Sequence, residues 1–141
     1  MVENKMFEDK KIIVYTDGGS RGNPGPSAIG VVVVDKEYGE YIGLGTNNQA
    51  EYKAIIFALK KIRQIIGKKK SKESEIEIRT DSELIVNHLG GRYKILEPDL
   101  QLLFLEVWNL RLDFKSVDFK YIPRTKNKKA DLLVNNVLDN H

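Results

Sequence analysis

The stretch Lys11-Ile12-Ile13-Val14-Tyr15-Thr16-Asp17-Gly18-Gly19 decides the fold. Its β-branched run reads as a strand that closes on a carboxylate and then bends at glycine. The pattern recurs at Glu75-Ile76-Glu77-Ile78-Arg79-Thr80-Asp81-Ser82, where a second β-rich run ends on an aspartate. Two more acidic residues stand in the first turns of segments with helical periodicity. They are Glu51, in Asn47-Asn48-Gln49-Ala50-Glu51, and Asp131, in Asn127-Lys128-Lys129-Ala130-Asp131. In an α/β sheet, ligands bind beyond the carboxyl ends of strands, where helices begin. Four carboxylates gathered there repel one another unless a cation lies between them. The chain has no cysteine and only two histidines. Hard oxygen ligands therefore point to Mg2+ or Mn2+ and away from zinc.

Outward from these contexts, Lys11 to Thr16 reads as the first strand and Gly18 to Pro26 as a loop. Ala28 to Asp35 is the second strand, Glu37 to Glu40 a turn, and Tyr41 to Gly45 the third strand. Two near-adjacent strands with a short turn make a hairpin, so this part is antiparallel. Asn48 is expected to cap a helix running to about Ile66. Glu51, Ile55, Ala58, Ile62 and Ile65 share one face of that helix, which aims Glu51 inward. Glu75 to Thr80 is the fourth strand. Ser82 caps a short helix to Leu89, ended by Gly90-Gly91. Pro98 to Leu112 is a helix with Leu102, Leu105, Trp108 and Leu112 as its expected core stripe. Ser116 to Ile122 is the fifth strand, stopped by Pro123, and Lys126 to Leu138 the last helix. The order βββαβααβα implies an α/β fold: a five-stranded mixed sheet, antiparallel over its first three strands and flanked by helices.

Composition narrows the function classes. The 141 residues suit one domain over 1–141, with 1–10 expected as a flexible extension. No apolar stretch approaches the roughly 20 residues of a membrane span. The first eleven residues are polar and mixed in charge, so no secretory leader is expected. Zero cysteines exclude a disulfide framework and thiol catalysis, and fit a cytoplasmic protein. The net charge of +3 says little alone, but its distribution says more. Lys68, Lys69, Lys70 and Lys72 read as a solvated loop. Arg124, Lys126, Lys128 and Lys129 flank Asp131 and suit phosphate. The loop Gly18 to Pro26 fits neither GxGxxG nor GxxxxGK[ST] and leads into a strand, which excludes a nucleotide-fold reading. Two readings stay open for it: a tight turn, and close backbone approach to a sugar-phosphate chain with Asn23 as a donor. Trp108 reads as packing, His88 as a packed or solvent-facing helix end, and His141 as a disordered terminus.

Five segments together carry a resemblance: Thr16-Asp17-Gly18-Gly19, Gly22-Asn23-Pro24-Gly25-Pro26, Thr46-Asn47-Asn48-Gln49-Ala50-Glu51-Tyr52, Thr80-Asp81-Ser82 and Asn127-Lys128-Lys129-Ala130-Asp131. In this order, over about Lys11 to Leu138, the chain resembles type 1 ribonuclease H. The resemblance implies a ribonuclease H-like fold and an endonuclease that hydrolyses the RNA strand of RNA–DNA hybrids without sequence preference. It implies two ions of Mg2+ or Mn2+ during catalysis, with Asp17, Glu51, Asp81 and Asp131 matching the metal-binding carboxylates. Asn23, Asn47, Asn48 and Gln49 suit the ribose 2′-OH, and Asn127 is a further substrate contact. Thr46, Arg21 and the basic loop suit phosphates. A monomer acting on a hybrid duplex, with no membrane partner, is expected.

Two departures stand out. Only Gly90 to Glu97 separates the two middle helices, so the basic protrusion of many members is absent. Arg124 stands in the loop where many members carry His, as in the short archaeal-type branch. A guanidinium cannot shuttle a proton, so Arg124 is read as a catalytic group that stabilises charge. Two alternatives stay open: a hybrid-binding module without catalysis, and another nuclease of the same fold. Four retained carboxylates argue against the first, and the Asn-Asn-Gln cluster against the second.

Overall fold

The computed structural model describes residues 11–141; the expected extension over 1–10 lies outside them. Strands β1 (Lys11–Ser20), β2 (Gly25–Val33), β3 (Lys36–Gly45), β4 (Glu75–Thr80) and β5 (Ser116–Tyr121) form one sheet in the order β3-β2-β1-β4-β5. β1 pairs antiparallel with β2 and parallel with β4; β2–β3 is antiparallel and β4–β5 parallel. The mixed sheet implied by the sequence order is the one observed. Helices α1 (Asn47–Lys72), α2 (Glu83–Leu89), α3 (Pro98–Leu110) and α4 (Lys128–Asp139) complete it.

Strand alternation divides the two faces. Val14, Ile29, Val31, Ile76 and Ile78 are buried in the cluster that includes Ile55, Leu59 and Ile62 of α1. Each such side chain contributes roughly 1.5–3 kcal/mol by leaving water. The opposite face of β2 receives α4. A Cβ on Gly30 would stand 2.2 Å from the Ala130 carbonyl oxygen, so α4 sits directly on bare backbone.

Several boundaries differ from expectation. The glycine-rich segment is mostly strand: Gly18, Gly19 and Ser20 pair with Ile29, Ala28 and Ser27, and only residues 21–24 turn. Glycine and serine satisfy ladder hydrogen bonds as well as other residues do, and here their small size admits the helices above. The β2–β3 turn falls at Val34-Asp35, where Val34 takes a φ of 58°, not at 37–40. Thr46, not Asn48, caps α1. Its hydroxyl accepts from the Gln49 N–H (3.1 Å), and the Gln49 Oε1 accepts from the Thr46 N–H (2.9 Å). Ile65 is 45% exposed, and Ile66 packs on the core in its place. The helix breaks at Gly67, with φ 85°, and the lysine cluster forms a further helical turn, not a loop.

The core stripe of α3 is the opposite of the expected one. Leu100 and Val107 are buried, with Leu103, Phe104 and Leu110 packed beside them. Leu102, Leu105 and Leu112 are exposed. The segment is apolar on both sides, so periodicity alone could not choose the face; packing against α1 does. Trp108 is 37% exposed, stacked on Phe104 and covered by the Arg111 guanidinium 3.7 Å from its ring. His88 is buried, with Nδ1 3.0 Å from the Tyr52 hydroxyl. His141, expected to be disordered, stacks on Tyr41.

Candidate active site

Register brings the first two carboxylates together. β1 and β4 pair Tyr15 with Arg79. Two residues further along stand Asp17, still within β1, and Asp81, the residue after β4, so the two are brought side by side. Glu51 arrives from the first turns of α1. One carboxylate oxygen from each of Asp17, Glu51 and Asp81 lies within 4.8 Å of the others. The meeting depends on Gly18: a Cβ there would stand 2.3–2.5 Å from the Ala50 and Glu51 backbone. Its N–H donates to Glu51 Oε1 at 3.1 Å.

Asp131 stands one step outside this triad. It belongs to the first turn of α4 and lines the same cleft of about 430 Å³ with Asp17, Glu51, Asp81 and Arg124. The Arg124 Nη2 is 3.8 Å from Asp131 Oδ1, and the Arg124 side chain is 82% exposed. The loop before α4 tightens into a single 3-10 turn over Arg124–Lys126, which presents that arginine at the cleft mouth.

Proton affinities report the crowding. Burial, then the charges of Asp81 and Asp131, raise the Asp17 pKa to about 8. Burial, with Asp17 and Asp81 adding to it, holds Glu51 well above the usual carboxylate range. The Gly18 N–H and the Arg124 charge oppose that rise only in part. Asp81 is raised by burial, against which Arg124 pulls down and Asp131 pushes up. Clustered acids short of positive charge favour a bound cation. Their all-oxygen donor set fits a hard divalent ion, and the triad is placed for metal binding.

The remaining candidates divide. Asn23 Oδ1 accepts from the Asn47 N–H (3.0 Å), and Asn47 Oδ1 from the Ser20 N–H (2.9 Å). Both hold the β1–β2 turn against the start of α1, and each keeps its amide NH2 as a donor. Asn23, Thr46, Asn48 and Gln49 line an adjoining groove of about 260 Å³ with Glu97 and Asp99. Gln49 spends its carbonyl on the cap, and its Nε2 reaches Asp99 at 3.4 Å. Asn127 is 1% exposed, and its Nδ2 donates to the Thr16 carbonyl at 2.9 Å. A side chain so buried fixes the start of α4 to β1. Sequence reasoning missed Ser20, Tyr121 and Asn135, which also line the cleft. Only the four-residue spacing of Asn135 from Asp131 signalled it.

A family model described as reverse transcriptase-like matches residues 15–137. The bifunctional protein Rv2228c of Mycobacterium tuberculosis is 36% identical over 136 residues, which is 92% of this chain and 36% of that protein. The chain thus spans about a third of the length of its mycobacterial relatives. The crystal structure of RNase H1 from Halobacterium salinarum is 37% identical with a TM-score of 0.84, covering 93% of this chain and 99% of that one. LC11-RNase H1, solved in complex with RNA/DNA hybrid, is 45% identical with a TM-score of 0.86, covering 92% and 97%. Sheet order, acidic cluster and these likenesses agree: the chain belongs to the type 1 ribonuclease H family.

Proposed function

We propose that the chain is an endonuclease that hydrolyses the RNA strand of RNA–DNA hybrids, with Mg2+ or Mn2+ as cofactor. The observation that carries this reading is the convergence of Asp17, Glu51 and Asp81 oxygens within 4.8 Å at the carboxyl end of the sheet. Asp17, Glu51 and Asp81 would hold the cation, with Asp131 completing the set from α4. Bound there, two divalent ions supply neutralisation of the scissile phosphate and activation of water.

The chain's own residues do the rest. Arg124 extends from the cleft mouth and stays protonated at any usable pH. It offers the phosphate or departing oxygen charge-assisted hydrogen bonds. The amide groups of Asn23 and Asn47, and the groove beside Thr46, Asn48 and Gln49, suit a minor groove bearing 2′-hydroxyls. Contacts of this kind favour ribose without reading bases, which supports action on a hybrid of any sequence. A monomer acting in the cytoplasm completes the reading. Incubation with labelled hybrid and either metal, with and without chelator, tests it. Metal-dependent shortening of the RNA strand is expected, and an intact RNA strand with both metals contradicts it.

A further inference from the structure

One face of α4 carries Asp131, Asn135 and Asp139 at four-residue spacing, which stacks them along the helix. Arg21, in the β1–β2 turn, reaches this row from across the cleft. Its Nη2 lies 2.7 Å from Asp139 Oδ1 and 3.4 Å from Asn135 Oδ1. Asn135 Nδ2 donates in turn to Asp131 Oδ2 at 3.4 Å. Arginine can only donate and a carboxylate can only accept. A primary amide does both, so Asn135 is matched to the gap between them. Asn135 and Arg21 both line the cleft that holds the acidic cluster.

The Arg21–Asp139 pair is exposed, and exposed pairs add little stability. Its consequence is positional. Both protein contacts fall on one terminal nitrogen, which leaves the Nε and Nη1 donors of a planar fork for a phosphate. We propose that Asn135 is a positioning residue that couples Arg21, a phosphate clamp steadied by Asp139, to the Asp131 carboxylate. This rests on the hybrid-nuclease reading above and extends it to three residues outside the acidic cluster.

The test compares wild type, Asn135→Ala, Arg21→Ala and the double variant. Asn135 is exposed, so its truncation leaves the fold intact. Asn135→Ala should raise the KM for a hybrid about three- to tenfold with a smaller fall in kcat. Calorimetric titration with Mn2+, without nucleic acid, should show weaker binding, because Asp131 loses its donor. In the Arg21→Ala background the KM effect of Asn135→Ala should vanish, since coupled residues are non-additive. Arg21→Ala alone should lower the slope of log affinity against log salt by about 0.9, the share of one phosphate contact. An active wild type with an Asn135→Ala variant unchanged in KM and Mn2+ binding overturns the inference alone. So does full additivity in the double variant. A wild type that neither binds nor cuts the hybrid overturns the underlying reading, and the inference with it.

Discussion

Glu51 accepts a hydrogen bond from the backbone N–H of Gly18 across 3.1 Å, joining β1 to the early part of α1. Gly18 follows Asp17 in the chain, so this bond sets one metal-site carboxylate against the backbone beside another. No other residue type fits at 18, because a Cβ would overlap backbone and not a movable side chain. Gly18→Ala should therefore destabilise the protein by about 1–3 kcal/mol through overpacking. It should also weaken metal binding, because Glu51 is displaced. Denaturant unfolding and metal titration of the variant check both; an unchanged midpoint with unchanged metal affinity contradicts the account.

The raised carboxyl pKa values make a prediction of definite sign. Asp17 has a folded value of about 8 against an ordinary 3.8. Glu51 and Asp81 shift in the same direction. Between these limits the folded state binds more protons than the unfolded state, so stability falls as pH rises. The contribution is fully present below about pH 4 and lost as pH climbs through 8. In chelator, the unfolding midpoint attributable to these groups should drop between pH 5 and 8.5. Added Mg2+ or Mn2+ should restore it at pH 8.5, where the ligands are ionised. A metal-free stability that is flat or rising over this range refutes the assignment.

Arg124 should assist the reaction without acting as a base. Its side chain lies 3.8 Å from Asp131 and is mostly in solvent. Arg124→Ala should lower the cleavage rate roughly ten- to a thousandfold, the scale of one lost electrostatic stabiliser. Arg124→Lys should recover part of this, since charge survives though the planar fork does not. The pH–rate profile should keep its shape. An alanine variant with unchanged turnover makes Arg124 a surface residue; a lost ionisation makes the loop a proton-transfer element.

Hybrid binding should be weak and salt-sensitive. The connection from Gly90 to Glu97 passes from α2 to α3 with no intervening helix or strand, so no basic protrusion extends the footprint. Affinity then rests on a few contacts near Arg21, Arg124, Lys126 and Lys128, each adding about 0.9 to the salt slope. Affinity measured between 50 and 200 mM salt (roughly the range over which such contacts are screened) should fall steeply. Near-constant affinity would contradict the footprint.

The four acidic residues were legible because β-branched runs and helix starts are local signals. Asp17 and Asp81 close β-branched runs, and Glu51 heads an apolar helical face. What sequence could not fix is which of two apolar faces turns inward. In α3, Leu102 and Leu105 were as good a stripe as Leu103 and Val107 until α1 chose between them. Nor could composition tell that Gly18 and Gly19 continue a strand, since their role is to admit a neighbouring helix. The structural role of Asn127 was hidden for a related reason. Its amide donates to the Thr16 carbonyl, a partner 111 residues away that no local signal names.

The most direct test of the central claim is a paired measurement on Asp81→Asn: single-turnover cleavage of a labelled RNA–DNA hybrid, and hybrid affinity under the same conditions. Asp81 directly follows β4, within the cluster of Asp17 and Glu51 oxygens. Removing its charge should cost several kcal/mol of transition-state stabilisation, or about a hundredfold or more in rate. The proposed phosphate and sugar contacts lie elsewhere, so affinity should stay within a few-fold of wild type. The account predicts a variant that binds the hybrid and leaves its RNA strand whole. A variant that cuts at nearly the wild-type rate would contradict it.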